Sequence, residues 1–298
     1  MINKSGLPPG VINIIFGDGP TTGACLVEAP NLAGVSFTGG TATGIGIRKA
    51  TAHQISKHLS LELGGKNPTL VFADAFRAGA GGGSLREKTV SIAARAAFEN
   101  QGEICLCGSR IYVERGVYDE FVVEFVEHVK KTWVLQETVG PLVSKAHYDK
   151  VVGYLELARK EEGVVFALGN VPTKELPKGE GYFVPPTVLT GVQEGSRLIR
   201  EEIFGPVVTV GWFENEEEAA RLANDCDYGL AAVVLTTDGA RMRRVGEQLE
   251  AGMIWVNGWL QRDLGTPFGG MKMSGVGREG GEYSRDVFTV VRTVHLPC

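Results

Sequence analysis

No run of apolar residues in this chain approaches the roughly 20 needed to cross a bilayer, so no helical membrane span is expected. Blocks of lysine and arginine are also lacking. With a net charge of −5, a nucleic-acid-binding surface is not expected either. Cysteine is sparse: five residues in 298, without the spacing of a disulfide framework. Such thiols read as reduced, which points to a reducing compartment and a cytoplasmic location. The opening Met1-Ile-Asn-Lys carries no apolar signal region. The histidines (His53, His58, His128, His147, His295) form no paired ligand spacing, so no metal site is expected. What the chain has in quantity is glycine, 41 residues, gathered at turn-like motifs rather than in a repeat. Apolar and charged fractions of 43% and 22% are those of a globular protein, and the length permits one large or two medium domains.

Strand and helix patterns alternate from the start. Val11–Phe16 is β-branched and apolar, and Gly17-Asp-Gly-Pro20 turns into a helical Thr21–Glu28. Gly34–Phe37 reads as a second strand, followed by Thr38-Gly-Gly-Thr-Ala-Thr-Gly44, a helix to about Gln54, and a third strand over His58–Leu63. Alternation of this kind predicts parallel crossovers in a doubly wound α/β sheet. Pro68–Phe72 begins another strand, and the glycines of Arg77–Ser84 predict a loop. Phe121, Phe125 and Val129, beside Tyr118, Val122 and Val126, predict an amphipathic helix over 117–131. Asn215 and Glu218 form a capping-box pattern for a helix ending near Gly229. Leu230–Thr237 (strand), Gly239–Glu250 (helix) and Met253–Val256 (strand) repeat the βαβ rhythm. Val287–Val294 reads as a last strand, which must pair with a sheet edge of its own chain or of a partner.

Two short stretches carry the chemistry. Glu62 lies in Leu61-Glu-Leu-Gly-Gly-Lys66, where the glycines permit close approach to the backbone. Cys105 follows Glu99-Asn-Gln-Gly-Glu-Ile104, among polar neighbours rather than in a hydrophobic stripe. A thiol that attacks a carbonyl and a carboxylate that then delivers water are what making and hydrolysing a thioester require. The bland alternatives are a small buried thiol and an edge-strand glutamate in water. Cys25 and Cys226 fall in helical patterns, and Cys298 is terminal, so all three read as packing residues; Cys107 reads as packing too.

Both stretches resemble the cysteine and glutamate signatures of the aldehyde dehydrogenase superfamily. The resemblance implies Cys105 as the nucleophile and Glu62 as the base that activates the deacylating water. It implies NAD as cofactor and an aldehyde as the small-molecule substrate. Ser36-Phe-Thr-Gly39-Gly40-Thr-Ala-Thr-Gly44 resembles the family's phosphate turn, with a glycine at position 40 where a serine is common. A helix N-terminus there offers free N–H groups to a diphosphate. Glu201-Glu202-Ile-Phe204-Gly-Pro-Val207 resembles the nicotinamide-side motif, which implies Glu202 on the ribose and Phe204 against the ring. Leu63, beside Glu62, joins Gly39, Gly40 and Gly44 among the implied cofactor contacts. Pro267-Phe-Gly-Gly-Met-Lys-Met-Ser-Gly-Val-Gly-Arg-Glu279 is a further match. Arg262, in Val256-Asn-Gly-Trp-Leu-Gln-Arg262, resembles the branch that oxidises carboxylated semialdehydes such as those of 2-aminomuconate and 2-hydroxymuconate. A guanidinium fork suits a carboxylate.

The resemblance covers nearly the whole chain, as the C-terminal part of a family member. It implies an aldehyde dehydrogenase-like α/β fold. Residues 1–65 would be the end of a partial Rossmann-type NAD domain, 66–283 a catalytic domain and 284–298 an oligomerisation strand. Phe76–Val90 departs from the family by its glycines, and 132–138 by a shortened connection. An NAD-dependent aldehyde oxidation through a cysteine thioester is the leading expectation, in a homo-oligomer or in association with full-length subunits. A non-catalytic fragment that binds such subunits, and a thiol esterase without redox chemistry, are the alternatives.

Overall fold

The computed structural model describes residues 4–77, 84–172 and 181–297. In chain order the strands are β1 (Gly34–Thr38), β2 (His58–Glu62), β3 (Pro68–Val71), β4 (Arg110–Glu114), β5 (Val165–Leu168) and β6 (Thr187–Thr190). They continue as β7 (Val207–Phe213), β8 (Tyr228–Gly229), β9 (Ala231–Leu235), β10 (Met253–Val256), β11 (Met271–Lys272) and β12 (Gly275–Val276). A three-stranded sheet has the order β1-β2-β12, with β1 and β2 parallel across the helix Thr41–Thr51 and β12 antiparallel to β2. A seven-stranded sheet has the order β10-β9-β3-β4-β7-β6-β5, parallel throughout except for β5. The expected α/β architecture is therefore present, and Gly275–Val276 returns from the far end of the chain to cover β2 beside Glu62.

Local sequence explains the elements. Ala231-Ala-Val-Val-Leu235 is buried at every position, as a parallel strand covered on both faces must be. The helix Tyr118–Thr132 turns Phe121, Phe125, Val126 and Val129 onto the large sheet beside Ser84–Phe98, where Phe98 packs on Phe125. Each fully buried Phe contributes roughly 1.5–3 kcal/mol. The opposite face is closed by Glu216–Asn224 and Gly239–Gln248, and Lys145–Lys160 covers the β5–β7 end. Asn215 Oδ1 accepts the Glu218 N–H at 2.9 Å, as the capping pattern predicts. Glu218 reaches back to the Glu214 N–H, and the helix stops at Asn224, short of Gly229, which lies in β8.

Several expectations are corrected. Val11–Phe16 is not a strand: Val11, Ile14, Ile15 and Phe16 are exposed, with no neighbouring strand among the described residues. β-Branched composition favours a strand only where a sheet is there to receive it. The tail differs as well. Val287 and Phe288 close the helix Gly281–Phe288, and residues 289–297 are unpaired, with Val290, Val291, Val294 and Leu296 in solvent. Residues 78–83 of the expected glycine-rich loop lie outside the described residues. From Ser84 to Phe98 the chain is helical, so the departure from a regular helix does not reach Val90. Cys226 sits beyond its helix rather than in it, buried, with its sulfur accepting the Tyr228 N–H. Cys298 lies outside the described residues.

Candidate active site

β1 and β2 end side by side, and a cavity of about 440 Å3 opens at their C-terminal ends. Such ends are where ligands enter parallel sheets. Thr38, Gly39 and Gly40 form one side, Leu63 and Gly64 the next, and Glu103, Ile104 and Cys105 the third. His147 and Lys150, from the helix Lys145–Lys160, close it with Glu202 and Phe204. Five of the six expected cofactor residues thus line one cavity with the expected nucleophile. Gly44 is elsewhere: it faces Leu63, and a Cβ there would lie 2.6 Å from Leu63 Cδ2. Its glycine allows the helix Thr41–Thr51 to lie close to the residue that follows β2. At Gly40 a Cβ would meet nothing within 4 Å, and the helix N-terminus behind it receives no side-chain cap.

Cys105 sits in a turn closed by the Cys107 N–H on Ile104 O at 2.9 Å. Three consecutive left-handed residues lead into it: Asn100 (φ +50), Gln101 (φ +56) and Gly102 (φ +71). A Cβ on Gly102 would strike Gly205 O at 2.2 Å, so this position requires glycine twice over. Asn67 fixes the turn from below. Its Nδ2 donates to Cys105 O and Cys107 O, both at 2.8 Å, and its Oδ1 accepts the Ala231 N–H at 3.0 Å. Cys107 is buried in the main core, its thiol facing Glu99 O, so the packing reading of that residue holds.

Electrostatics separate the two chemical groups. Burial pushes the Cys105 thiol up to about 11; the negative charges of Glu202 and Glu62 add to this, while its own N–H and Arg262 favour the thiolate. Glu62 is 3% exposed, and both carboxylate oxygens lack a hydrogen-bond partner. Burial and the charge of Glu279 raise it to about 7, against the pull of Arg278 and Arg262. A carboxyl group in that range is suited to taking a proton near neutral pH. Glu62 is paired with Thr38 and Gly275 in the sheet, set back from the cavity wall. It is not the edge-strand glutamate in water that alternation alone would allow.

Glu202 accepts the Gly65 N–H at 2.9 Å; burial raises its pKa, and that N–H, Lys150 and Lys66 oppose the rise. The glycines after Glu62 therefore serve the protein's own groups. A Cβ on Gly64 would lie 2.4 Å from Glu202 Oε2, and one on Gly65 the same distance from Cys105 O. Phe204 has φ +60, in the left-handed region. Arg262 is exposed, its guanidinium 4.1 Å above the Phe268 ring beside a second cavity of about 250 Å3. Asp263 accepts the Gly265 N–H instead of pairing with it. Asn67, Lys66, Glu103, His147 and Lys150 join the site without being among the residues expected from the sequence. Lys66 and Asn67 stand directly after Gly64-Gly65 and Glu103 directly after Gly102, so the glycine-marked strings could have pointed to them; His147 and Lys150 have no such pattern around them.

This cavity, with a thiol on its wall and a buried carboxyl behind it, sits on a fold that identifies its class. The aldehyde dehydrogenase family model matches residues 1–294, and the chain belongs to that family. Among curated relatives, the 2-aminomuconic semialdehyde dehydrogenase of Danio rerio is 48% identical over 301 residues, covering 99% of this chain and 60% of the relative. The chain thus spans about 60% of the length of the curated relatives it matches. Among solved structures, an aldehyde dehydrogenase mutant from Bacillus cereus superposes with a TM-score of 0.87 at 39% identity, over 97% of this chain and 57% of that one. A betaine aldehyde dehydrogenase from Staphylococcus aureus, in complex with NAD+, gives 0.83 at 37% identity, over 93% and 54%.

Proposed function

We propose that this chain carries the thioester chemistry of an NAD-dependent oxidation of an aldehyde to its acid, with a carboxylated semialdehyde such as that of 2-aminomuconate as substrate. The observation that carries the reading is Cys105 lining one cavity with Gly39, Gly40, Leu63, Glu202 and Phe204, with Glu62 buried behind that lining. The cavity fits a nicotinamide cofactor in its chemistry: open backbone at Gly40 before an uncapped helix for phosphate, a half-buried carboxylate at Glu202 for ribose hydroxyls, and a phenyl ring at Phe204. NAD, when bound, supplies the hydride acceptor. Cys105 adds to the aldehyde carbon, and its backbone N–H serves as one donor to the oxygen that becomes charged. Glu62 takes the proton of the water that hydrolyses the thioester. Arg262 receives the substrate carboxylate, with Phe268 holding its guanidinium flat. Residues 1–65 form the cofactor side, 66–283 the catalytic side, and the tail 284–298, exposed over residues 288–297, docks on another subunit. The reduced cysteines suit the cytoplasm.

Two measurements test this: calorimetric titration of NAD, and NADH formation with a carboxylated semialdehyde. NADH produced in a single burst by Glu62→Gln, without turnover, is the expected signature of blocked hydrolysis. Ester hydrolysis without NADH in the wild type would leave only a thiol esterase. A second reading, a non-catalytic subunit that associates with full-length family members, is favoured by the exposed Val11–Phe16 segment and by β1, which pairs on one edge only among the described residues. Weak NAD binding with self-association or capture by full-length subunits would support it.

A further inference from the structure

His147 is bonded in a way that neither the thiol chemistry nor the cofactor contacts explain. It stands in the first turn of the helix Lys145–Lys160, its N–H held by Ser144 Oγ at 3.2 Å. Its Nε2–H donates to Phe204 O at 2.5 Å, and the same nitrogen lies 3.4 Å from Glu103 Oε1. The ring stands edge-on to the Phe204 phenyl, with centroids 5.8 Å apart. One side chain therefore touches both the turn that presents Cys105 and the loop that carries Glu202 and Phe204.

Both of those backbones are in conformations that do not persist unaided. Asn100 and Gln101 are left-handed on one side and Phe204 on the other, and such residues are kept only where their surroundings over-determine them. The segment before His147 supplies part of that bracing, since Gln101 Oε1 accepts the Gly140 N–H and Glu103 Oε1 the Val143 N–H, both at 3.3 Å. His147 then ties this braced turn to the left-handed Phe204. We propose that His147 is a positioning residue that locks the Cys105 turn to the Glu202–Phe204 loop, so that thiol presentation and cofactor binding depend on one ring. The cofactor half of this statement rests on the proposed function; the thiol half does not need NAD.

The test compares the wild-type chain with His147→Ala and His147→Gln. Cys105 alkylation by iodoacetamide, followed by peptide mass spectrometry, reads the turn. Calorimetric NAD titration reads the loop, and melting temperature is recorded for each variant. Losing one hydrogen bond of this kind is expected to shift each readout by about threefold to tenfold in His147→Ala. Glutamine places an amide N–H near the lost Nε2 and is expected to restore most of both. Should His147→Ala fail to fold, His147→Leu takes its place, filling space without a donor. Unchanged alkylation, or a shift that glutamine does not restore at matched melting temperature, overturns the proposal. If the wild type itself fails to bind NAD, the cofactor reading falls and the alkylation arm alone decides whether His147 positions the thiol.

Discussion

Lys66 is a buried lysine in no ion pair among the described residues, with the more distant charge of Glu202 favouring its ammonium, and replacing it tests the electrostatics of the site directly. Its side chain is 1% exposed, and Nζ makes no hydrogen bond. Burial, with the Arg110 guanidinium close by, pushes the ammonium down from 10.5 to about 7. Below the folded-state value both folded and unfolded chains hold the proton, and the folded chain bears the whole cost of a buried charge. Between about 7 and 10.5 the unfolded chain holds the proton and the folded chain does not, so stability rises with pH. The slope from this group is about 1.4 kcal/mol per pH unit, on the order of 5 kcal/mol across the window. Methionine keeps a flexible stem and removes the charge. Lys66→Met is therefore expected to exceed the wild type by about 1–4 kcal/mol at neutral pH. The advantage should shrink steadily as pH rises toward the ordinary lysine range. Urea unfolding of both proteins at several pH values measures it. A gap that does not change with pH, or a destabilised variant at neutral pH, would refute the reasoning and show that Nζ is compensated.

Three further outcomes are expected. With Glu62 as the proposed base, acting as carboxylate, hydrolysis of the acylated thiol should rise with pH through about 7, the value to which burial raises the Glu62 pKa, and level off above; a pH–rate profile by stopped flow checks this, and Glu62→Gln should lower the plateau by about 10²–10⁴-fold. Cys105→Ala should abolish labelling by an aldehyde-mimicking alkylator, whereas Cys107→Ala, altering a residue packed in the core, should retain it; preferential labelling of Cys107 in mass spectra would reverse the assignment. Arg262→Ala should weaken carboxylated semialdehydes by roughly 1.5–3 kcal/mol while sparing neutral aldehydes, as kcat/KM ratios would report; equal losses would remove Arg262 from the substrate site.

The parts of the fold that were legible from sequence are those whose cause is local. The spacing of Phe121, Phe125 and Val129 fixes which face of Tyr118–Thr132 is buried whatever lies opposite, and the strand Met253–Val256 has the bounds its sequence marks. Asn215 caps its helix by a contact three residues away. Val11–Phe16 failed for the complementary reason. A strand is a relation between two segments, and nothing in the composition of one says whether the other is there. The tail after Phe288 has the same ambiguity, and its apolar residues stand in solvent.

The site divides along the same line. Cys105 and Glu62 stood out because each sits in a short glycine-marked string, and those glycines turn out to relieve contacts between the protein's own groups: Gly64 makes room for the Glu202 carboxylate and Gly65 for the Cys105 carbonyl. What the strings could not disclose is the framing. Asn67 holds the Cys105 turn and a strand residue 164 positions away, and His147 meets Phe204 across 57. Gly44 makes the point in reverse: the last glycine of the phosphate-turn motif reads as a ligand contact, yet in the fold it faces Leu63, whose side chain fills the space a Cβ would take. The helix N-terminus at Gly40 and the end of β2 are thereby drawn together, so the cavity wall depends on a packing contact behind it as much as on the residues that face it.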